Sequence, residues 1–300
     1  MPLRVRFATA IALCALAFAA PGSAQDKKDA KDPKAREAAL ENLKKCKIAK
    51  PTIVETDNFL VAGSLSEDKA KALANTLEKT NALARKTLKY EDKESPWKGK
   101  LTVYFLPDSD EFKTFMRRVL QTAPEGAYID IRAEPAHIVD PAELPGKPTD
   151  VDLYAATAAR VAGEVLKGKG TATQVIPTWL RDGFGRVTVA RAEGTTSKRY
   201  TAMKSAARLA VLGPKGGKPP ALADVWADSK APTTEALANS FSEFLAYGPK
   251  AADFIKFVEA LRPSENVAAP TVQAQGFEAL GWKDAMAPDA AWKRWVQTGK

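Results

Sequence analysis

The chain has 300 residues, 45% of them hydrophobic, and a formal net charge of +9. That apolar content suits a globular protein with a real core and excludes a chain disordered throughout. The lysines and arginines are spread along the sequence rather than gathered with aromatics, which argues against nucleic acid or another anionic polymer as the main partner.

The first element is not part of a core. "MPLRVRF" is basic, "ATAIALCALAFAA" is apolar but too short to span a bilayer, and Gly22-Ser23-Ala24 is a small-x-small site. Residues 1–24 therefore read as a secretory signal peptide cleaved after Ala24, which predicts a soluble protein that is secreted or periplasmic. Cleavage removes Arg4, Arg6 and Cys14, lowers the net charge from +9 to +7 and leaves Cys46 as the one cysteine. No internal disulfide is then expected, and Cys46, set in "ENLKKCKIAK", reads as a solvated thiol. Residues 25–50 mix both charges with few large apolar side chains and read as a charged tether leading into a short frayed helix.

Residues 51–149 read as a small N-terminal α+β part. "TIVETDNFLVAG" gives two short strands with a turn at Asp57-Asn58. A long amphipathic helix follows, with Ser64 and Glu67 as its capping box and Leu73, Leu77 and Leu88 on its apolar face. "KLTVYFLP" is a buried strand that Pro107 ends. Asp108 opens the next helix, whose stripe is Phe112, Phe115 and Met116. The acids of "LPDSDEF" read as that helix's cap and first turn rather than a Ca²⁺ loop, because the EF-hand glycine and distal glutamate are missing. "GAYIDIRAEPAHIVD" adds two strands around Ala133–Pro135.

Residues 150–300 read as a helical half, with helices over 151–167, 176–192, 197–212, 233–247, 250–262, 271–280 and 288–297. "GPKGGK" lacks the spacing of a phosphate-binding loop and reads as an exposed connection. Trp179, Trp226, Trp282, Trp292 and Trp295 read as core rather than a ligand groove. The fold class is α+β, a strand-and-helix half followed by a helical one.

Helix 151–167, "VDLYAATAARVAGEVLK", is apolar or small on almost every face and belongs at the centre of the fold. It precedes "IPTWLRDGFGRVTVAR". This pair of segments resembles the gluzincin clan of zinc metallopeptidases, in the form of peptidase MA-like domains. There a His-Glu-x-x-His helix precedes a Pro-x-Trp-Leu-x-Glu-Gly segment whose glutamate is the third metal ligand. "SFSEFLAYGPKAADFIKFVEALRPSENVAAPTVQAQGFEALGWKDAMAPDAAWKRWV" is similar to the clan's C-terminal helices, so the likeness runs over residues 52–297. In the register it implies, Ala159 and Gly163 stand where the histidines would, Arg160 replaces the general base, and Asp182 is the third-ligand position.

The departures bear on mechanism. The chain holds one histidine, His137, and a catalytic zinc site of the usual composition needs more. The resemblance implies the fold without the activity and implies no cofactor. The expected function is an exported, non-catalytic peptidase-like protein that acts by binding, or as an envelope component. Its partner would be an unidentified protein or polymer in the cell envelope or outside the cell. Two alternatives stay open: a hydrolase with an unorthodox site around Asp182, Glu164 and His137, and a basic module for anionic polymers. In the implied register Arg160 and Asp182 should meet as a partly buried ion pair that takes the place of the metal.

Overall fold

The structure is a computed structural model that describes residues 33–169, 176–213, 220–226, 232–261, 269–283 and 286–299. The proposed signal peptide and most of "GPKGGK" lie outside the described residues.

Five strands form one mixed sheet: β1 (Thr52–Glu55), β2 (Phe59–Gly63), β3 (Leu101–Phe105), β4 (Tyr128–Asp130) and β5 (His137–Asp140). Their order is β1-β2-β3-β5-β4. The inner pairs β2/β3 and β3/β5 are parallel, and the two outer pairs are antiparallel. β2 and β3 are buried along their whole length. This is why both read as continuous apolar runs rather than alternating ones.

Side-chain alternation divides the sheet into two faces. Phe59, Val61, Leu101, Val103, Phe105 and Ile138 belong to the larger core. Leu60, Ala62, Tyr104, Leu106 and Val139 belong to a smaller one on the opposite side. The smaller core is closed by α1 (Pro33–Lys45) and α3 (Ser109–Arg118). The ring of Phe115 lies 4.5 Å from that of Tyr104, and Asn42 donates to the Tyr104 hydroxyl at 3.0 Å.

This packing corrects the reading of a tether as far as residues 33–48 are concerned. Ala35, Ala39 and Leu43 stand four residues apart on one narrow stripe of α1, and Cys46 and Ile48 continue it into the core. The high charge of the segment conceals that stripe in an average over composition. Cys46 is buried rather than solvated, and burial raises its thiol pKa against the opposing pull of Arg118.

α2 (Glu67–Thr87) covers the larger face of the sheet. Its N-cap is Ser66, which accepts from the Lys69 amide, and not Ser64 as the spacing suggested. Ser64 instead donates to Glu111. α3 starts as expected, with the Asp108 carboxylate accepting from the amides of Asp110 and Glu111 at 2.9 Å.

The helical half comprises α4 (Asp150–Lys169), α5 (Thr178–Ala192), α6 (Lys198–Leu212), α7 (Leu222–Trp226), α8 (Pro232–Tyr247), α9 (Phe254–Ala260), α10 (Ala269–Ala279) and α11 (Met286–Thr298). α4 and α5 are antiparallel neighbours at its centre. A Cβ added at Gly185 would lie 2.1 Å from the Ala159 carbonyl oxygen, and one at Gly163 would lie 3.1 Å from the Arg181 carbonyl oxygen. On its other side α5 presents Gly183, where an added Cβ would come within 2.9 Å of the Ala238 carbonyl oxygen on α8. The glycines of "DGFG" thus let α5 wedge between two helices at backbone contact. Val161 and Val165 of α4 are fully buried.

One hydrophobic cluster runs from Phe59 in the sheet through α2, α4, α5 and α8 to Trp292 and Val296. Trp179, Trp292 and Trp295 are core residues, and Trp282 packs on the edge of that core against Phe244 and Phe277. The Trp292 indole donates to Ser240 at 2.9 Å, which satisfies its polar edge. Trp226 closes α7.

Beside α5, the carboxylate of Glu243 is 1% exposed and has three donors. They are Arg191 at 2.8 Å, the Tyr200 hydroxyl at 2.6 Å and Lys204 at 3.1 Å. This cluster ties α5, α6 and α8 together.

Candidate functional site

A cavity of about 560 Å³ opens on the face of α4 that carries the implied metal positions. Ala155, Ala156, Ala159 and Gly163 give it an apolar wall of small side chains. Ala127 and Ile129 border it from the β4 edge of the sheet. α5 contributes Arg181, Asp182 and Arg186, α6 contributes Arg199, and α8 contributes Glu235 and Asn239.

All four degenerate positions, Ala159, Arg160, Gly163 and Asp182, line this one cavity. The ion pair expected between Arg160 and Asp182 is not formed. Arg160 donates to Asp140 at 2.5 Å, and Asp182 accepts from its neighbour Arg181 at 2.9 Å. Burial decides between the two. Asp140, at the end of β5, is 0% exposed, whereas the Asp182 side chain is 39% exposed and solvated without help. An uncompensated buried carboxylate costs several kcal/mol, about 3–5, against ~0–1 for an exposed one. Arg160 therefore turns to the sheet.

The alternative site around Asp182, Glu164 and His137 is only half assembled. Asp182 and Glu164 line the cavity, but His137 does not. Residue 137 shares the sheet face of Val139, where its ring stacks on Tyr128 at 5.8 Å and its Nδ1 lies 3.0 Å from the Pro135 carbonyl oxygen. The sheet separates it from α4 and α5.

The positions do not fit a zinc ion. A Cβ at Gly163 would already stand 2.9 Å from the Arg181 side chain and 3.1 Å from its carbonyl oxygen. A histidine there would have to displace the Arg181 side chain and part α4 from α5, so the helix spacing is set for glycine and not for an imidazole ligand, which needs about 2.0–2.1 Å to a metal and free space around it. Among the described residues no three His, Cys, Asp or Glu side chains cluster as a metal site would require.

Charge in the cavity is organised in pairs. Asp152 is held by Arg199 at 3.1 Å, Asp182 by Arg181 at 2.9 Å, and Glu235 faces Arg186 at 3.6 Å. Asp152 also forms a reciprocal cap with Thr149, whose hydroxyl donates to it at 2.7 Å and accepts from its amide at 3.3 Å. Hydrogen bonds from Thr149, and then from Arg199, hold the Asp152 pKa below the usual carboxylate value. Glu164 is the exception. It is 1% exposed, and Lys167 lies 3.3 Å from its Oε2 but out of hydrogen-bond alignment, so that oxygen has no donor. Asn239, 7% exposed, likewise has an Oδ1 without a donor.

Arg181, Arg186, Arg199, Asp152, Glu235 and Asn239 line the cavity and are absent from the expected site. A signal for them exists: Asp182 and Arg186, and Glu235 and Asn239, are four apart and so share one helix face each. What joins those faces is tertiary packing. No protein-family model matches the chain, and no curated protein matches it. The likeness to gluzincin peptidases rests on the motifs quoted above. Among the described residues no helix is long and apolar enough to cross a membrane.

Proposed function

We propose that this protein is an exported, non-catalytic relative of gluzincin peptidases that binds an extended polypeptide in the cleft between β4, α4, α5, α6 and α8. The observation that carries the reading is the closure of α4 onto α5 at Gly163. The position implied for a histidine is taken up by helix packing, while a cavity large enough for several side chains remains in front of it. β4 is the last strand of the sheet and borders that cavity, so its outer edge is a template for strand addition by an extended chain. The paired charges and small apolar wall suit holding a chain, and they supply no nucleophile with an adjacent base.

The test is a joint measurement on purified protein. Metal analysis should find no stoichiometric zinc, chelators should leave melting unchanged, and a mixed fluorogenic peptide library should stay intact. Extended peptides should shift the amide signals of residues 127–130 and 155–164. Chelator-sensitive zinc or turnover that follows Asp182 would overturn the reading in favour of a hydrolase. A polyanion that binds elsewhere with a steep salt dependence would favour the basic module.

A further inference from the structure

We infer that Glu164 is the recognition group of the cleft for an organic cation, a primary ammonium or a guanidinium carried by the bound chain. The inference rests on the binding role proposed above. Four carboxylates line the cavity, and the three others each have an arginine beside them. Glu164 has only the half-exposed Lys167, which stands 3.3 Å from Oε2 and does not line the cavity.

A carboxylate 1% exposed with a donorless oxygen is a costly arrangement for a fold to keep. Buried polar atoms are nearly always satisfied, and an exception calls for a cause. A cation from a ligand supplies the hydrogen bond that Oε2 lacks and adds to the counter-charge of Lys167. Asn239 adds a second donorless acceptor in the same cavity, suited to an N–H of the ligand. The arginines of the rim do not reverse this preference. Arg160, Arg181, Arg186 and Arg199 each face a carboxylate already.

The probes are four short peptides. Acetyl-Ala-Lys-Ala-amide carries the cation on a side chain, and Ala-Ala-Ala-amide carries it on the amino terminus. Acetyl-Ala-norleucine-Ala-amide is the neutral match, and acetyl-Ala-Glu-Ala-amide the anionic one. Affinities are measured by titration calorimetry on the intact chain. One of the two cationic probes should bind at least about tenfold more tightly than the neutral one, the scale of a single charge-assisted hydrogen bond. Which of them does so identifies the source of the cation.

Glu164→Gln should bring that ratio to about one. Lys167→Met should raise affinity for the cationic probe several-fold, because it removes the competing ammonium, and a folding defect could not mimic that gain. Equal binding of cationic and neutral probes, preference for the glutamate probe, or an unchanged affinity in Lys167→Met would overturn the cation site and leave the cleft reading standing. Binding of none of the four would overturn both.

Discussion

Replacing Gly185 by alanine sets two effects of opposite sign against each other. In a helix interior alanine is better than glycine by roughly 0.8–1 kcal/mol, so propensity alone predicts a more stable protein. Packing predicts the reverse. The added methyl would lie 2.1 Å from the Ala159 carbonyl oxygen and 2.9 Å from its carbon. Ordinary contact needs more than a further ångström, and the obstacle is helix backbone, which cannot swing away as a side chain can. α5 cannot retreat either, because it packs so closely on α8 at Gly183 that a Cβ there would lie 2.9 Å from the Ala238 carbonyl oxygen. Overpacking costs about 1–3 kcal/mol; a backbone obstacle belongs at the upper end, about 3, and less the ~1 kcal/mol gained in propensity the net loss should be ~2 kcal/mol. On the scale of a large domain that lowers Tm by about 4–8 °C. Gly163→Ala should cost less, since its nearest obstacle is the movable Arg181 side chain at 2.9 Å. Thermal and urea melts of both variants measure this. A Gly185→Ala protein that melts at or above the parent temperature would refute backbone contact between α4 and α5, and with it the closure that excludes a metal.

Asp140→Ala should destabilise by about 2–3 kcal/mol, just under the ~3–5 kcal/mol of a fully buried broken pair because Arg160 keeps some solvent, whereas Asp182→Ala should change stability by only ~0–1 kcal/mol; equal urea midpoints for the two would refute the assignment of Arg160 to Asp140. Glu243→Gln should cost about 3 kcal/mol, because two cations lose their shared counter-charge while the volume is kept; a variant with the parent's urea midpoint would show that the cluster is incidental. Burial raises the phenols of Tyr104 and Tyr247 to about 12. Their contribution is complete below pH 10 and is lost as pH climbs from 10 towards 12, where the unfolded chain ionises and the folded one does not. Tyrosinate absorbance should therefore rise together with loss of helix signal, and ionisation of all six tyrosines before unfolding would contradict it.

Much of the fold can be read from local signals. Continuous apolar runs give β2 and β3, period-3.6 stripes give α2 and α3, and Asp108 marks its helix start through its own side chain. The failures share a cause. α1 carries a three-residue stripe, Ala35, Ala39 and Leu43, that is too narrow to outweigh its charges in a composition average. α7 spans only Leu222–Trp226, less than two turns, so no period can show. Its start is fixed from far along the chain, by the Asp289 carboxylate accepting from the Leu222 amide at 3.0 Å. Ser64 and Ser66 are equally good caps on paper, and a contact 47 residues away, Ser64 to Glu111, takes the first of them out of use.

The site shows the same limit in electrostatic form. Sequence places Arg160 and Asp182 on α4 and α5, and helix packing does bring both to one cavity. Whether they pair depends on a third residue, Asp140, whose burial is settled by the order of the sheet. β5 lies inside β4 in the sheet, and the carboxylate at its end, within reach of Arg160 on α4, is cut off from water. A group that water cannot solvate holds the strongest claim on a nearby cation, and the exposed Asp182 is left to its sequence neighbour Arg181. The same reasoning singles out Glu164. It is as buried as Asp140, yet Arg160, one turn before it on α4, is already committed to the sheet. A buried carboxylate that keeps only the half-exposed Lys167, 3.3 Å from its Oε2 and not hydrogen-bonded to it, is the one in this cavity best placed to take a cation from outside.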